Sequence, residues 1–121
     1  MLKPIPSRIL RHTVTLHVPL TVDAWENVLT QTDYTVKRVC VQPTHNTQMT
    51  RDNTEVSLNA VLFVDKRISA PPLDWEALQD SALSVGTAMT VTYGGRLYTV
   101  MHIDALVDDN GNLHHYEVGL L

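Results

Sequence analysis

The sequence has few of the residues that most catalytic and metal-binding motifs require. It contains one cysteine, Cys40, so it cannot form an intramolecular disulfide and lacks the paired cysteines of a zinc module. GxSxG, HExxH, the phosphate-binding P-loop and GxGxxG are also absent. Cys40 lies in an apolar segment and is interpreted as an inert thiol, and Trp25 and Trp75 as core or interface residues rather than ligand platforms. The sequence therefore predicts a protein that is not an enzyme and carries no cofactor.

Basic residues and long apolar runs are also scarce. Nine Lys and Arg stand against 13 Asp and Glu, a net charge of -4, which disfavours tight binding to phosphates but allows passive contact with double-stranded DNA. No apolar run approaches the length of a membrane helix. The N-terminal segment MLKPIPSRILRHTV does not resemble a secretion signal. We expect a soluble protein made in the cytoplasm, without a membrane partner.

Valine and threonine are instead abundant, with 15 and 14 copies, and both favour strands. In the first apolar segment Val14, Leu16, Val18 and Leu20 share one parity, which predicts a strand with one buried face. The stretch VSLNAVLFVD is apolar on both parities and predicts a central strand. A chain of 121 residues suits one domain. We therefore predict a single mainly β domain over residues 1–121, a small antiparallel β-barrel of six to seven strands.

Turn and cap signals punctuate the second half of the chain. Gly94-Gly95 and Asn110-Gly111 each predict a turn between two strands. The stretch WEALQDSAL predicts one short helix, with Asp74 as a plausible N-cap. These signals add three hairpin arms and one helix to the predicted barrel.

Two segments are predicted to lie outside the barrel. Residues 44–55 are polar, without aromatics or helical periodicity, and are predicted to form a long, exposed, mobile loop. Residues 1–7 contain two prolines, cannot pair regularly as a strand, and are predicted to form an N-terminal arm.

The turn at Asn110-Gly111 predicts a register for the C-terminal hairpin. It pairs Ile103 with Val118, Met101 with Leu120 and Ala105 with Tyr116 on one apolar face. Pairing across the Gly94-Gly95 turn puts apolar residues on the other parity of the shared strand. Either a bulge near Thr99 reverses the strand, or both of its faces are covered, in which case a second subunit would cover one of them.

The opposite face of this hairpin carries the one cluster of potential metal ligands or acid/base groups in the sequence. Asp104 faces Glu117, with His102 and His115 as diagonal neighbours. Two imidazoles and two carboxylates could bind zinc, but a solvated polar face or a subunit contact is the favoured interpretation. His114, next to His115, is predicted to point to the other face, so that the two cannot share one ion.

Three stretches together resemble a known family: IPSRILRHTVTL, DNTEVSLNAVLFVDKRISAP and, at the end, GGRLYTV with LHHYEVGLL. They are similar to the minor capsid proteins of tailed bacteriophages and prophages of Gram-positive bacteria, a family of the head-tail junction related in kind to head-closure, or stopper, proteins. The resemblance spans nearly the whole chain. It is most specific from Asn53 to Val64 and from Leu113 to Leu121, and the segment from Leu73 to Val85 is longer and more helical than the family pattern.

The resemblance implies a virion protein that acts by assembly and has no catalytic residues. We expect a homo-oligomeric ring that seals packaged DNA, with a portal or adaptor ring on the head side and a tail terminator or tail tube on the other. The predicted loop would project into the lumen or onto a neighbour, and the N-terminal arm would dock on an adjacent ring. The loop candidates are Thr44, His45, Asn46, Gln48, Met49, Arg51, Asp52, Asn53 and Glu55, and the arm candidates are Lys3, Pro4, Ile5 and Pro6.

Three alternatives stay open at this point. A tail-completion protein of the same neck would have similar properties. A small β-barrel ligand-binding module would have an enclosed apolar pocket. A metal-dependent enzyme built on the histidine and carboxylate cluster would bind stoichiometric metal.

Overall fold

The computed structural model describes residues 10–25, 27–44, 47–49 and 55–121. Within these ranges the chain forms eight strands and one helix. None of the described helical structure has the length and apolar character needed to cross a bilayer. In chain order the elements are β1 (His12–Val22), β2 (Val28–Pro43), β3 (Thr47–Met49), β4 (Glu55–Ser57), β5 (Ala60–Asp65), α1 (Trp75–Ser84), β6 (Thr90–Tyr93), β7 (Arg96–Val107) and β8 (Leu113–Leu120).

Six of the strands form a closed antiparallel barrel in the order β1-β2-β5-β8-β7-β6, with β6 pairing back onto β1. Apolar side chains alternate along the strands, and the buried side chains of β1, β5 and β8 point into the barrel. Burial of this one face favours closure of the sheet. The predicted mainly β fold with one short helix is confirmed.

The segment from residue 44 to residue 55 differs from the predicted loop. Thr47–Met49 and Glu55–Ser57 pair as a separate two-stranded hairpin, β3-β4. Each of these short strands contains one β-branched residue, Thr47 or Val56, and neither shows the hydrophobic alternation from which a strand is predicted. The predicted central strand is correspondingly shorter, because its first residues belong to β4 and β5 begins at Ala60.

The helix has the predicted position and N-cap. The Asp74 side chain accepts a hydrogen bond from the Ala77 backbone N–H at 3.1 Å, which satisfies one free donor of the first turn. The helix packs against β1 and β7 and buries Trp75 completely in the barrel core. Gln79 is also buried; its amide oxygen accepts from Met89 N–H and its amide nitrogen donates to the Val100 carbonyl. These contacts fix the helix over one end of the barrel.

Bulges break the regular alternation of the long strands. In β7 the register shifts at Met101, so that Val100 pairs with Leu120 and His102 pairs with Gly119. The predicted pairing of Met101 with Leu120 is therefore wrong, whereas the predicted pairs of Ile103 and Ala105 are confirmed. A bulge adds one residue to one strand and reverses the facing of the residues beyond it. This bulge accounts for the two parities of β7, so the alternative of a covering subunit is no longer needed to explain them.

A second bulge, at Leu20, ends the predicted apolar face of β1. Val14, Leu16 and Val18 are buried as predicted, but Leu20 lies between the pairs of Pro19 and Thr21 and is 48% exposed. The strand therefore leaves the core two-thirds of the way along its length, and its last residues belong to a projection rather than to the barrel wall.

Candidate assembly surfaces

The two ends of the barrel carry different loops, because the strands alternate in direction. One end, here called the arm end, carries the β1–β2 turn, the connection containing α1, and the β7–β8 turn. The opposite end, here called the tail end, carries the β3-β4 hairpin, the β6–β7 turn and Leu121. Asn59 N–H donates to the Leu120 carbonyl at 2.8 Å, so the β3-β4 hairpin leaves the barrel beside the last strand.

Most of the predicted assembly residues fall outside the described part of the chain. This holds for the arm candidates Lys3, Pro4, Ile5 and Pro6 and for five of the loop candidates, His45, Asn46, Arg51, Asp52 and Asn53. Of the remaining loop candidates, Thr44 donates its N–H to the Asn59 carbonyl at 3.1 Å. In the β3-β4 hairpin Gln48 pairs with Val56, and Met49 pairs with Glu55.

The cluster of potential metal ligands resolves into two histidine–carboxylate pairs. His102 Nε2 lies 3.3 Å from Asp104 Oδ2, and His115 Nε2 lies 3.1 Å from Glu117 Oε2. Asp104 and Glu117 are cross-strand partners as predicted. Among the described residues, however, no three His, Cys, Asp or Glu side chains are grouped closely enough to hold a metal ion. The arrangement is a row of polar pairs on the outer face of β7 and β8.

The two adjacent histidines are closer than strict alternation predicts. Nδ1 of His114 and Nδ1 of His115 are 2.7 Å apart, with the rings edge to face. The prediction that these side chains point to opposite faces is wrong. The reason is a bulge: Leu106 pairs with His115 and Val107 with Leu113, so His114 is the extra residue and its side chain is not turned away from its neighbour.

His102 lies directly over Gly119. A Cβ atom built on Gly119 would fall 2.3 Å from Cε1 and 2.4 Å from Nδ1 of His102, and 3.0 Å from a methyl group of Leu58. The His102 Nδ1 atom is buried without a hydrogen-bond partner among the described residues. Because Gly119 has no side chain, the His102 imidazole can lie against the sheet at this position. The sequence of β8 did not indicate this role of Gly119.

A polar cluster that the sequence analysis missed joins three strands near the point where β1 leaves the barrel. His17 Nδ1 lies 2.7 Å from Asp33 Oδ1 of β2, and His17 Nε2 lies 2.8 Å from Thr92 Oγ1 of β6. The Gln31 amide donates to the same Asp33 oxygen at 2.9 Å. His17 pairs with Asp33 and Thr90 in the sheet, which could have been found only from the register. The cluster anchors the base of the projecting hairpin.

Beyond Pro19, β1 and β2 form a two-stranded projection, here called the β-arm (residues 20–30). β6 pairs with β1 only through residues 15–17, and β5 pairs with β2 only from Val39 onward. Among the described residues the β-arm therefore has no strand partner on either side. Pro19 lacks an N–H, so β1 has one backbone donor fewer at the base of the β-arm. The part of β2 in the β-arm contains no proline.

The free end of the β-arm is apolar and exposed. Trp25 is 83% exposed and Leu29 63% exposed, and Leu20 and Val28 are exposed beside them. Single exposed apolar residues are ordinary, but a cluster of large ones at the end of a projection indicates a binding surface. Trp25, which the sequence predicts to be a core or interface residue, is not in the core.

An aspartate fixes the backbone at the end of the β-arm. Asp23 Oδ1 accepts hydrogen bonds from the N–H groups of Trp25 and Asn27 at 2.8 and 2.9 Å, while Asp23 N–H donates to the Asn27 carbonyl. The Asn27 N–H in particular holds the pKa of the Asp23 carboxyl below its ordinary value. Trp25 is therefore displayed on an ordered turn, and the entropy cost of binding through it is reduced.

Charge distinguishes the β-arm from the tail end. Residues 12–36 contain Asp23, Glu26 and Asp33 but no Lys or Arg. At the tail end Leu97 is 62% exposed, and its neighbour Arg96 lies over the ring of Tyr98 at 5.1 Å from its centroid. Leu121 is also exposed and is bonded through its backbone to Thr99, two residues after Leu97 on the same strand face. The tail end thus carries a smaller apolar surface with a cation at its rim.

Among the described residues, large apolar side chains fill the interior of the barrel. The central side chains, including Leu16, Leu62 and Met89, are in mutual contact and fully buried. A groove of about 230 Å³ lies outside the barrel between the end of β5 and the segment before α1, bordered by Asp65, Asp74 and other residues. It is smaller than typical ligand pockets and open to solvent. The enclosed apolar pocket expected of a ligand-binding module is not found within the described structure.

Similarity to known proteins identifies the family. The model of the minor capsid protein family matches residues 6–120. This chain belongs to that family. Family membership gives the minor capsid protein a structural role in the phage virion and points away from catalysis. Neither the curated proteins nor the solved structures contain a significant match.

Proposed function

We propose that this minor capsid protein is a head-completion, or stopper-type, connector of the phage neck. In this proposal copies of the barrel form a ring that seals packaged DNA and provides the platform for the tail. The observation that carries the proposal is the pairing of family membership with a barrel whose two ends are built differently. A connector must contact both its own copies and unlike neighbours, and two different projections, the β-arm and the β3-β4 hairpin, give it separate surfaces for such contacts.

The charge of the chain supports a passive relation to DNA. A net charge of -4 does not favour counterion-release binding, so a ring of such chains would let DNA pass rather than grip it. Closure would then depend on a segment that crosses the lumen. We assign this role to the segment of residues 44–55, which leaves the barrel at the tail end, and we assign docking on an adjacent ring to residues 1–7.

Deleting residues 46–53 tests the assignment of the closing segment. The β3-β4 hairpin shares no ladder with the barrel, so the variant should lose this hairpin but keep the β signal of the folded barrel in circular dichroism. Phage assembled with it should release DNA from filled heads or fail to join tails, as measured by nuclease sensitivity of packaged DNA and by electron microscopy. Normal virions from this deletion would rule out the assignment.

Imaging the neck of the assembled particle tests the proposal as a whole. A stopper-type connector should form a closed ring below the portal complex. Density for the chain at the end of the tail tube instead would identify it as a tail-completion protein of the same neck. A stable monomer that stays outside the virion would rule out both.

A further inference from the structure

We infer that the β-arm docks on the tail end of a second copy of this chain, so that its Trp25 and Leu29 pack against Leu97 and Leu121 of the neighbour. The inference rests on the proposed ring and names the contact that would build it. It concerns an interface made by described residues, separate from the segments assigned to the lumen and to the adjacent ring.

The two surfaces are separated along the barrel. The exposed apolar residues of the β-arm lie at one end of the barrel, and Leu97 and Leu121 lie at the other. One copy can therefore use both surfaces at once, each with a different neighbour. Such a heterologous contact repeats from copy to copy and closes into a ring when the rotation between copies allows it.

The charges beside the two surfaces are of opposite sign. The β-arm carries only acidic charges, whereas Arg96 is the only Lys, Arg, Asp or Glu residue between positions 81 and 103 and adjoins Leu97. An anionic apolar projection placed on an apolar surface with a cationic rim combines burial with opposite charge, which favours correct orientation of the encounter. Two β-arms placed against one another would instead bring like charges together.

The β-arm is ordered before it binds. Asp23 orders the turn at its end, and the cluster around His17 fixes its base. The turn displays a tryptophan, the residue type most enriched among those that dominate interface affinity. The uninterrupted outer edge of β2 adds unpaired backbone groups along the same projection, which a neighbouring chain can satisfy.

The test is sedimentation velocity of the purified full chain over a concentration series, with matched single variants. Wild-type protein should associate as concentration rises. Trp25→Glu and Leu97→Glu should each weaken association by about 30-fold or more, the loss expected for a residue that dominates an interface. Both side chains are exposed, so neither variant should lower the thermal midpoint. The control is Leu83→Glu, which alters an exposed leucine of α1 outside both surfaces and should associate like wild type.

Mixing the two variants decides the geometry of the contact. Trp25→Glu retains a normal tail end and Leu97→Glu retains a normal β-arm, so an equimolar mixture should form one-to-one dimers that do not grow further. Tryptophan emission should shift to the blue on association, because Trp25 becomes buried while Trp75 is buried throughout.

Four results would overturn the inference. Wild-type protein that stays monomeric at all concentrations would exclude docking between copies. Loss of association in Trp25→Glu but not in Leu97→Glu, without recovery in the mixture, would show contact between two β-arms. Unchanged association in Trp25→Glu, with loss of neck assembly in phage, would place the β-arm on another virion protein. Equal loss in Leu83→Glu would show that the effect is not specific. A chain that associates as inferred but is found elsewhere than the neck would overturn only the proposed function.

Discussion

Replacing Gly119 with alanine should destabilise the barrel by overpacking one site on its outer face. The new methyl group would lie 2.3 and 2.4 Å from two ring atoms of His102, closer than non-bonded carbon atoms approach. Relieving the clash requires the His102 ring to move, which would break the contact of its Nε2 atom with Asp104, and a methyl group of Leu58 lies 3.0 Å from the new methyl group. Overpacking of this kind costs about 1–3 kcal/mol. Each kcal/mol should lower the thermal midpoint by roughly 3–6 °C in a domain of this size.

Urea denaturation of a double-mutant cycle separates this clash from an intrinsic preference for glycine at the position. Gly119 does not have a left-handed backbone conformation, so alanine itself is tolerated there. His102→Ala removes the ring, and the double variant should then be no less stable than His102→Ala alone. A coupling energy close to the full cost of Gly119→Ala would confirm the contact. A Gly119→Ala variant within about 0.5 kcal/mol of wild type, the range of neutral surface changes, would refute the reasoning.

Three further predictions concern the turns and the helix. Asp74→Ala removes the cap on the Ala77 N–H and should cost about 1 kcal/mol in urea denaturation, whereas Asp74→Asn, which can still cap, should cost less. Gly111 has a φ of 79°, so Gly111→Ala should cost about 1–2 kcal/mol, and Gly111→Asn less. Backbone N–H donors hold the pKa of Asp23 and of Asp108 below the ordinary value of 3.8, so their stabilising effect is present above that pH and is lost as the pH falls through the folded-state values. In an acid titration followed by amide NMR, the two turns should remain closed at pH values at which an unstructured aspartate is already protonated. Opening of either turn above pH 3.8 would contradict this.

Much of the fold was predictable because local signals and the global fold agree. The N-cap at Asp74, the turns at Gly94-Gly95 and Asn110-Gly111, and the strand alternation each specify one conformation locally. The register of β7 and β8 followed from turn position alone, as the pair of Asp104 and Glu117 shows. Secondary structure and pairing between neighbouring strands could therefore be predicted from the sequence.

Bulges account for the wrong predictions of register and facing. Leu20, Met101 and His114 each stand as an extra residue in a strand, and each reverses the facing of the residues beyond it. Closure of the whole sheet favours bulges, and the alternation of apolar residues in the sequence does not show where they occur. The exposure of Leu20, the lost pairing of Met101 with Leu120 and the contact between the adjacent histidines each follow from one of these bulges. The facing of individual residues was thus the feature that local signals could not predict.

A single device orders all three connections at the arm end. Asp23, Asp65 and Asp108 each lie at the end of a strand or directly after it. In each case one carboxylate oxygen accepts hydrogen bonds from two backbone N–H groups, one two residues further along the chain and the other three or four residues further. An aspartate that closes its own turn in this way stabilises a fixed backbone without a hydrophobic core. Because the β-arm lies outside the core, this local order is what allows Trp25 to be displayed in one position. We therefore expect Asp23→Ala to leave the barrel folded while weakening association between copies, and an unfolded barrel would show that the turn supports the core instead.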